Sequence, residues 1–346
     1  MSDALRVGIA GFGLAGQVFH APVIAATPGL EIARVSTANA ERQAKARAAY
    51  PDATVVASVD ELWDGIDVLV VATTNDVHVE LANAALDRDV PVVVDKPLAI
   101  SAAAAQELVA RGGPLTVYQN RRWDGDFLTV QDAARSGELG ELIRFENRFD
   151  RFVPVVRSER WREQADPKMG PGILIDFSAH LVDQALLIGG PVRRVYAEID
   201  VRRPGGIVED DCYLSLEHRS GLRSQLWMSS TAPLHHPRLR LSGLNAGIVT
   251  HGHDPQWDQL LNGMKPGDEG YGVAGPAQIA DIDGRRDVPM RPGAYQDFYA
   301  AVVSWVRDGA PAPVDPADSL AGLRVIDAAR VSAAEHVVVD LNSPPA

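Results

Sequence analysis

Three features that mark other classes of protein are scarce in this sequence. Cys212 is the single cysteine among 346 residues, so no disulfide can form within the chain. The formal net charge is −13, from 33 lysines and arginines against 46 aspartates and glutamates. No basic run offsets that charge, so neither a nucleic acid nor an anionic membrane is an expected partner. No apolar run approaches the roughly 20 residues that span a bilayer, and no apolar leader precedes the first strand pattern, so we expect a cytoplasmic protein.

The pattern of the chain changes near residue 120. Before it, short β-branched runs alternate with alanine-rich stretches, which is typical of a doubly wound parallel sheet with helices on both faces. After it, period-two segments separated by turn residues predict a large, mostly antiparallel open sheet. We therefore predict an α/β fold with a dinucleotide-type domain over residues 1–120 and an α+β domain over residues 121–346. In the second domain, helices are predicted at Phe127–Ser136, from about Ile173, at Ala294–Arg307 and at Pro316–Ala334.

A glycine motif, G-x-G-x-x-G, follows the first predicted strand directly. Such glycines allow a tight turn, let a pyrophosphate approach the backbone, and let the next helix pack closely on the strand. The motif therefore predicts a Rossmann domain that binds a dinucleotide, and the alternative is a glycine-rich turn without a ligand. The predicted contacts are Gly11, Phe12, Gly13, Leu14, Ala15 and Gly16.

The end of the second predicted strand bears on the choice of cofactor. Domains that prefer NAD have an acid there for the ribose hydroxyls, whereas this strand ends in Ser36 and Thr37, with Asn39 and Arg42 close behind. Because no carboxylate would repel a 2′-phosphate, NADP is favoured and NAD remains possible. The alternative is that Arg42 is only a solvated helix residue.

Polar residues also end the next two strands, and such residues face the ligand crevice. Thr73 and Asn75 are predicted to contact the cofactor, while His78 either lines the same cleft or caps a helix. The run VPVVVDKP places Asp95 and Lys96 at this edge. There the Lys96 ammonium can stabilise a developing alkoxide, and a cis peptide bond to the following proline is plausible, although cis is the minority state of such bonds. The alternative is a lysine that extends from the surface into solvent.

A helix that begins near Ile173 has four polar residues on one face: Asp176, His180, Asp183 and Gln184. The functional interpretation is that His180 is a base and that Asp176 orients it and raises its pKa. Two alternatives remain, a buried polar network and a metal site formed by Asp176, His180 and Asp183. Further candidate substrate contacts, which could equally be packing or ion-pair residues, are Asn120, Arg121, Trp123 and Trp161.

Three motifs together resemble the Gfo/Idh/MocA family of sugar and inositol oxidoreductases: G-x-G-x-x-G at 11–16, DKP at 95–97 and D-x-x-x-H at 176–180. The resemblance covers nearly the whole length. The stretches GLAGQVFHAP, VYQNRRWDGDFLT, RWRE and HLVDQ are most similar to the NADP-dependent scyllo-inositol dehydrogenase branch. It implies that Lys96, Asp176 and His180 form the catalytic set and that the open sheet makes dimer or tetramer contacts. The family's usual glutamate before the lysine is here the shorter Asp95.

The sequence thus leads to one main hypothesis and one rival. The main hypothesis is an NAD(P)-dependent oxidoreductase that transfers a hydride between nicotinamide and a secondary alcohol or ketone of a cyclic polyol or sugar, with no metal. The rival is a dinucleotide-binding or sugar-binding regulator that has the same fold and does not turn over.

Overall fold

The first sheet consists of six parallel strands. The computed structural model describes residues 4–156, 163, 172–234 and 236–342. Within these ranges the strand order is β3-β2-β1-β4-β5-β6, which confirms the predicted doubly wound sheet. The strands are β1 (Leu5–Ala10), β2 (Leu30–Ser36), β3 (Thr54–Val56), β4 (Val68–Val71), β5 (Val92–Asp95) and β6 (Leu115–Tyr118).

Strand β3 was not predicted. It has three residues, of which Thr54 is exposed and the two valines are half-buried, so it lacks the buried apolar run that identifies the other strands. The helices of this domain are α1 (Ala21–Ala26), α2 (Ala40–Ala49), α3 (His78–Leu86) and α4 (Ala102–Arg111). A π-helical segment at Ala15–His20 leads into α1, and 3₁₀ turns lie at Val59–Glu61, Asn75–Val77 and Asn120–Trp123.

The second sheet has nine strands in the order β14-β13-β12-β11-β7-β10-β9-β8-β15. Its pairs are antiparallel except for β7 with β10, so the predicted mostly antiparallel sheet is confirmed. The strands are β7 (Leu142–Asp150), β8 (Val192–Asp200), β9 (Asp211–His218), β10 (Arg223–Ser229), β11 (Leu239–Gly243), β12 (Gly247–Thr250), β13 (Ala277–Asp281), β14 (Gly284–Val288) and β15 (Val339–Asp340). The helices described with it are α5 (Gly125–Ser136), α6 (Ile173–Gly189), α7 (Gln256–Leu261), α8 (Tyr295–Asp308) and α9 (Pro316–Glu335).

Helix α6 lies between the second sheet and the first domain. Strand β9 alternates strictly between half-buried and buried residues, because one face of this sheet is covered and the other is open. Helices α6 and α9 pack on the covered face, and α9 also contacts α4 and β6 of the first sheet. Most of α6 is therefore buried, including His180, Asp183 and Gln184, while Asp176 is half-buried.

The predicted domain boundary lies between the last strand of the first sheet and the first helix of the second domain. Strand β6 ends at Tyr118 and α5 begins at Gly125, and the boundary at residue 120 stays a prediction. Among the residues that the structure describes, no helix combines the length and the apolar character needed to cross a bilayer.

Candidate active site

The glycine motif forms a tight turn whose backbone packs against the backbone just after β4. Gly11 has a φ of 93°, and a Cβ atom there would lie 2.6 Å from the backbone oxygen of Ala72. A Cβ on Gly16 would lie 2.3 Å from the oxygen of Gly11. At Gly13, by contrast, the nearest atom to a Cβ would be Nη1 of Arg42 at 3.7 Å. The first and third glycines are thus required by packing, and the second faces open space, as close approach of a pyrophosphate requires.

The other residues of the motif differ in what they expose. The Phe12 ring is buried and packs edge-on against Tyr50 at 6.4 Å, while the Leu14 side chain is 47% exposed. Ala15 is half-buried and begins the π-helical segment. Phe12 can therefore contact a ligand only through its backbone, whereas Leu14 can cover one with its side chain.

The Arg42 guanidinium lies close to the glycine turn, near Gly13. Ser36 and Thr37 are buried at the end of β2, and the Ser36 carbonyl accepts a hydrogen bond from Gly11 N at 3.0 Å. The Asn39 side chain caps α2 by accepting from Arg42 N at 2.9 Å. Within the described ranges the exposed Arg42 guanidinium makes no ion pair. A cation that is not neutralised therefore stands beside the space at Gly13.

His78 supports the DKP turn from behind. Its ring is fully buried, and Nδ1 donates to the carbonyl oxygen of Pro97 at 2.8 Å. Burial lowers the pKa of His78 below its ordinary value, against the opposing effect of the Pro97 carbonyl, so the ring is neutral. Thr73 is half-buried and Asn75 is buried at the end of β4. The geometry gives His78 a supporting contact rather than an exposed one, and the cofactor contacts of Thr73 and Asn75 stay predictions.

Replacing His78 by phenylalanine is expected to lower the free energy of unfolding by about 1–3 kcal/mol, because the Pro97 carbonyl would lose its buried donor. Urea titration of both proteins measures the change. His251, which is exposed, offers a matched control in His251→Phe, for which we expect no comparable loss. Equal stabilities of wild type and His78→Phe would show that the hydrogen bond does not support the turn.

Lys96 is held by the second domain. The peptide bond to Pro97 is cis. The Lys96 ammonium donates to Asp176 Oδ1 at 2.6 Å and to the Asp176 carbonyl oxygen at 2.7 Å, and its side chain is 12% exposed. The alternative of a lysine extended into solvent is therefore wrong. Since an ammonium has three N–H donors, one donor remains for a substrate oxygen.

Asp95 sets the backbone of this turn. Its Oδ1 accepts a hydrogen bond from Lys96 N at 2.8 Å and lies 3.8 Å from His20 Nε2. Burial would raise the pKa of the Asp95 carboxyl, but the His20 ring and the Lys96 charge together lower it below its ordinary value. His20 is fully buried, with Nδ1 2.5 Å from the hydroxyl of Tyr299. His20 was not predicted as a site residue, although it lies in the stretch GLAGQVFHAP, which resembles the scyllo-inositol dehydrogenase branch.

The polar face of α6 divides into two parts. Asp183 pairs with Arg122, which donates from Nε at 2.8 Å and from Nη2 at 2.6 Å. Gln184 donates to the Arg121 carbonyl at 2.9 Å and accepts from Asn147 at 2.8 Å. These two residues form the buried polar network that was one of the alternatives. No cluster of potential metal ligands occurs among the described residues, and the Asp183 carboxylate is committed to Arg122.

His180 is a buried neutral histidine. Its side chain is 5% exposed, and its Nδ1 has no hydrogen-bond partner in the part of the chain that the structure describes. Burial, followed by the positive charges of Lys96 and Arg121, lowers the pKa of His180 well below 6.5, and Asp176 opposes this only in part. Asp176 does act to raise this pKa, as expected, but the expected upward net shift is wrong, because burial and the nearby positive charges outweigh the effect of the carboxylate.

The candidate substrate contacts are mainly packed inside the domain junction. Arg121 pairs with the buried Asp124 at 2.9 Å, and the Trp123 ring packs edge-on against Phe298 at 5.4 Å. Asn120 is buried in the 3₁₀ turn, and Trp161 lies outside the described residues. Their contact with substrate stays a prediction.

Three residues near the site were not identified from the sequence: Phe149, Asp126 and Arg238. Phe149 stacks on Phe177 of α6, with ring centroids 4.1 Å apart. Arg121 lies 4.8 Å and Arg238 5.5 Å from the Phe149 ring centre. These residues come from separate elements, Phe149 from β7, Asp126 from the start of α5 and Arg238 from the residue before β11, and the sequence shows no local pattern that would bring them together.

The fold and this site define a two-domain, dinucleotide-binding oxidoreductase, in which a second domain closes the crevice at the carboxyl edge of a Rossmann sheet. Two family models match, one described as the NAD-binding Rossmann fold of an oxidoreductase family over residues 5–112, and the other as its C-terminal alpha/beta domain over residues 132–341. The chain belongs to the Gfo/Idh/MocA family of oxidoreductases.

Similar proteins cover the chain almost completely. An uncharacterized oxidoreductase of Escherichia coli, YdgJ, is 36% identical and the alignment covers 97% of this chain and 98% of that one. The scyllo-inositol 2-dehydrogenase (NADP(+)) IolW of Bacillus subtilis is 30% identical, with 98% and 96% covered. The structure of the oxidoreductase yvaA from Bacillus subtilis superposes with a TM-score of 0.92 at 29% identity, over 99% of each chain.

Proposed function

We propose that the protein is an NADP-dependent dehydrogenase or reductase that acts on a secondary alcohol or ketone of a cyclic polyol or sugar. The observation that supports this best is the pairing of Lys96 with Asp176 beside a buried neutral His180. The three residues combine a hydrogen-bond donor for a developing alkoxide with a base that can accept the hydroxyl proton. The resemblance to an NADP-dependent scyllo-inositol dehydrogenase supports the choice of an inositol-like substrate.

The residues of the chain have separate roles in this proposal. His180, which is neutral, accepts the hydroxyl proton during oxidation and returns it during reduction. Lys96 donates its remaining N–H to the same oxygen and stabilises the charge that develops there. Asp176 fixes the ammonium by accepting two of its hydrogen bonds, one at the carboxylate and one at the backbone. We therefore assign Asp176 to Lys96, and not to the imidazole.

The glycine turn fits a nicotinamide dinucleotide. Gly13 leaves room for a pyrophosphate, and Arg42 stands beside that room with no acidic partner among the described residues. When bound, the nicotinamide supplies or accepts the hydride. The absence of a carboxylate at Ser36 and Thr37, together with Arg42, supports NADP over NAD.

The cofactor preference is expected to reverse or narrow in Ser36→Asp, because the new carboxylate would repel a 2′-phosphate at a cost on the order of a few kcal/mol. Arg42→Ala is expected to weaken NADPH more than NADH. Fluorescence titration with both reduced cofactors measures the ratio of dissociation constants. Arg47→Ala is a matched control, since Arg47 is exposed on the same helix. Wild-type protein that binds NADH at least as tightly as NADPH would contradict the preference.

Turnover separates this proposal from a regulator with the same fold. The assay follows the near-ultraviolet absorbance of NADPH with scyllo-inositol, myo-inositol and a panel of aldoses and their uronic and aldonic acids, in both directions. We expect turnover on at least one member with NADP. Tight NADPH binding without turnover on any member would favour the regulator.

We also propose that copies of the chain associate through the open face of the second sheet. Tyr213 packs on Trp227 with ring centroids 5.1 Å apart, and the Arg148 guanidinium lies 3.5 Å from the Trp227 ring. Tyr196 extends this partly exposed aromatic row on the neighbouring strand. Light scattering after size-exclusion chromatography tests for the dimer or tetramer.

A further inference from the structure

Arg238 is a buried guanidinium whose hydrogen bonds are incomplete. Its side chain is 3% exposed, and Nη1 donates to Asn147 Oδ1. Nε and Nη2 are buried and make no hydrogen bond within the described residues. The Asp126 carboxylate lies 3.9 Å from Nε, which is beyond hydrogen-bond distance. Buried donors that lack acceptors are costly unless a ligand supplies them.

The two unpaired nitrogens form one edge of the guanidinium. Arg122 uses the same edge in this structure, donating from Nε and Nη2 to the two oxygens of Asp183 at 2.8 Å and 2.6 Å. This geometry matches the two coplanar oxygens of a carboxylate. The free edge of Arg238 is therefore suited to the same kind of acceptor.

Arg238 lies on the substrate side of α6. Its guanidinium is 5.5 Å from the centre of the Phe149 ring, which stacks on Phe177. Phe177 and His180 are three residues apart on the helix and so share a face. After burial, the positive charges of Lys96, Arg121 and Arg238 all act to lower the pKa of His180, which shows that they lie within electrostatic range of the proposed base.

Two of the acids near Arg238, Asp124 and Asp126, do not supply hydrogen-bond acceptors for its Nε and Nη2. Asp124 is bonded to Arg121 and to the hydroxyl of Tyr295. Asp126 is fully buried, and burial, opposed by Arg238 but reinforced by Asp124, raises its pKa to about 6. Asp126 Oδ2 itself has no hydrogen-bond partner among the described residues.

We propose that the substrate carries a carboxylate, which Arg238 binds through Nε and Nη2 while His180 and Lys96 act on a secondary alcohol of the same molecule. Within the polyols and sugars of the proposed function, the substrate class is then an acidic sugar, such as a uronic or aldonic acid. This inference rests on the proposed function, because it assigns the substrate of the same site.

The test compares binding of acidic and neutral sugars of matched shape to the protein saturated with NADP. The pairs are D-galacturonate with D-galactose and D-gluconate with D-glucitol, and D-glucose 6-phosphate represents phosphate. Thermal shift and calorimetry measure binding. We expect the carboxylates to bind at least about tenfold more tightly than their neutral partners, and Arg238→Gln to weaken carboxylate binding by about 100-fold, as loss of a buried charged hydrogen-bond pair predicts.

Three further variants keep the test decisive. Arg240→Gln removes an exposed arginine two residues away and should leave carboxylate binding unchanged. Arg238→Lys keeps the charge without the two-pronged edge, so intermediate binding is expected. If Arg238→Gln does not fold, the wild-type comparison and Arg238→Lys decide. A purely structural Arg238–Asp126 pair predicts that Arg238→Gln and Asp126→Asn both lower the melting temperature while carboxylate binding is unchanged.

The outcomes for the inference and for the proposed function differ. Equal binding of the acidic and neutral sugars by the wild-type protein would overturn the carboxylate assignment. Binding of D-glucose 6-phosphate without binding of either carboxylate would also overturn it. Turnover of neutral sugars without preference for acids would overturn it and leave the proposed function in place. Carboxylate binding that depends on Arg238, without turnover of any sugar, would overturn the proposed function and support the inference.

Discussion

Lys96→Ala is expected to lower kcat by about 10²–10³-fold, the usual effect of removing one donor to a developing oxyanion. The variant also leaves Asp176 as a carboxylate without its ammonium partner, which would place uncompensated negative charge where the alkoxide forms. Both effects act on the transition state, so kcat should fall much more than the affinity for cofactor, which we expect to stay within about tenfold.

Steady-state kinetics of Lys96→Ala, with NADPH titrated separately by fluorescence, measure this division. Lys265→Ala is the matched control, because Lys265 is exposed in a loop of the second domain. Asp176→Asn gives a second comparison, since it keeps an oxygen near the ammonium and removes the charge. Near wild-type turnover in Lys96→Ala would remove Lys96 from the reaction.

His180→Asn is expected to lower kcat by roughly 10²–10⁴-fold, the range for loss of a general acid or base. The pH dependence of the wild-type enzyme gives the sharper expectation. A base must be neutral to accept a proton, so oxidation declines only as pH falls through the pKa of His180. Burial and the charges of Lys96 and Arg121 lower that pKa well below 6.5. The rate of oxidation should therefore not decline as the pH is lowered from neutral to about 6.5, the ordinary pKa of a histidine.

Three measurements distinguish the possible roles of His180. A base predicts that the acidic limb attributable to this residue disappears in His180→Asn while the melting temperature changes little. A structural role predicts the reverse, with lower thermal stability and an unchanged pH profile in the residual activity. A metal ligand predicts that chelation with EDTA inactivates the wild-type enzyme. An acidic limb centred at or above 6.5 that vanishes in the variant would contradict the lowered pKa.

The sequence was sufficient for features that depend on neighbours along the chain. The glycine turn, the lysine at the end of β5 and the polar face of α6 each follow from local spacing, because side chains at such intervals share an edge or a face. The predicted helix Pro316–Ala334 corresponds to α9 with a difference of one residue at its end. Strand β3 was missed because so short and half-exposed a segment has no periodic signal.

The pairing of side chains could not be obtained in this way. Asp176 and His180 are neighbours on one helix, so a hydrogen bond between them was the natural expectation. In the structure the Asp176 carboxylate instead accepts a hydrogen bond from Lys96, which follows the last strand-forming residues of β5 in the first sheet. The lowered pKa of His180 is due first to burial and then to the positive charges of Lys96, Arg121 and Arg238, and all of these depend on contacts between segments that are distant in the sequence. Such competition is decided by tertiary packing, about which local spacing is silent.

The ion pair between Lys96 and Asp176 has a consequence for chimeras in which the two domains come from different relatives. The Lys96 amine lies at the edge of the parallel sheet and the Asp176 carboxylate lies on α6. The proposed catalytic pair therefore forms only when the two domains have the correct relative position. A chimera that takes its first half from one relative and its second half from another would inherit the amine and the carboxylate from different parents. Such hybrids should conserve the fold and bind dinucleotide while turning over slowly, unless the two parents present α6 at the same height above the first sheet.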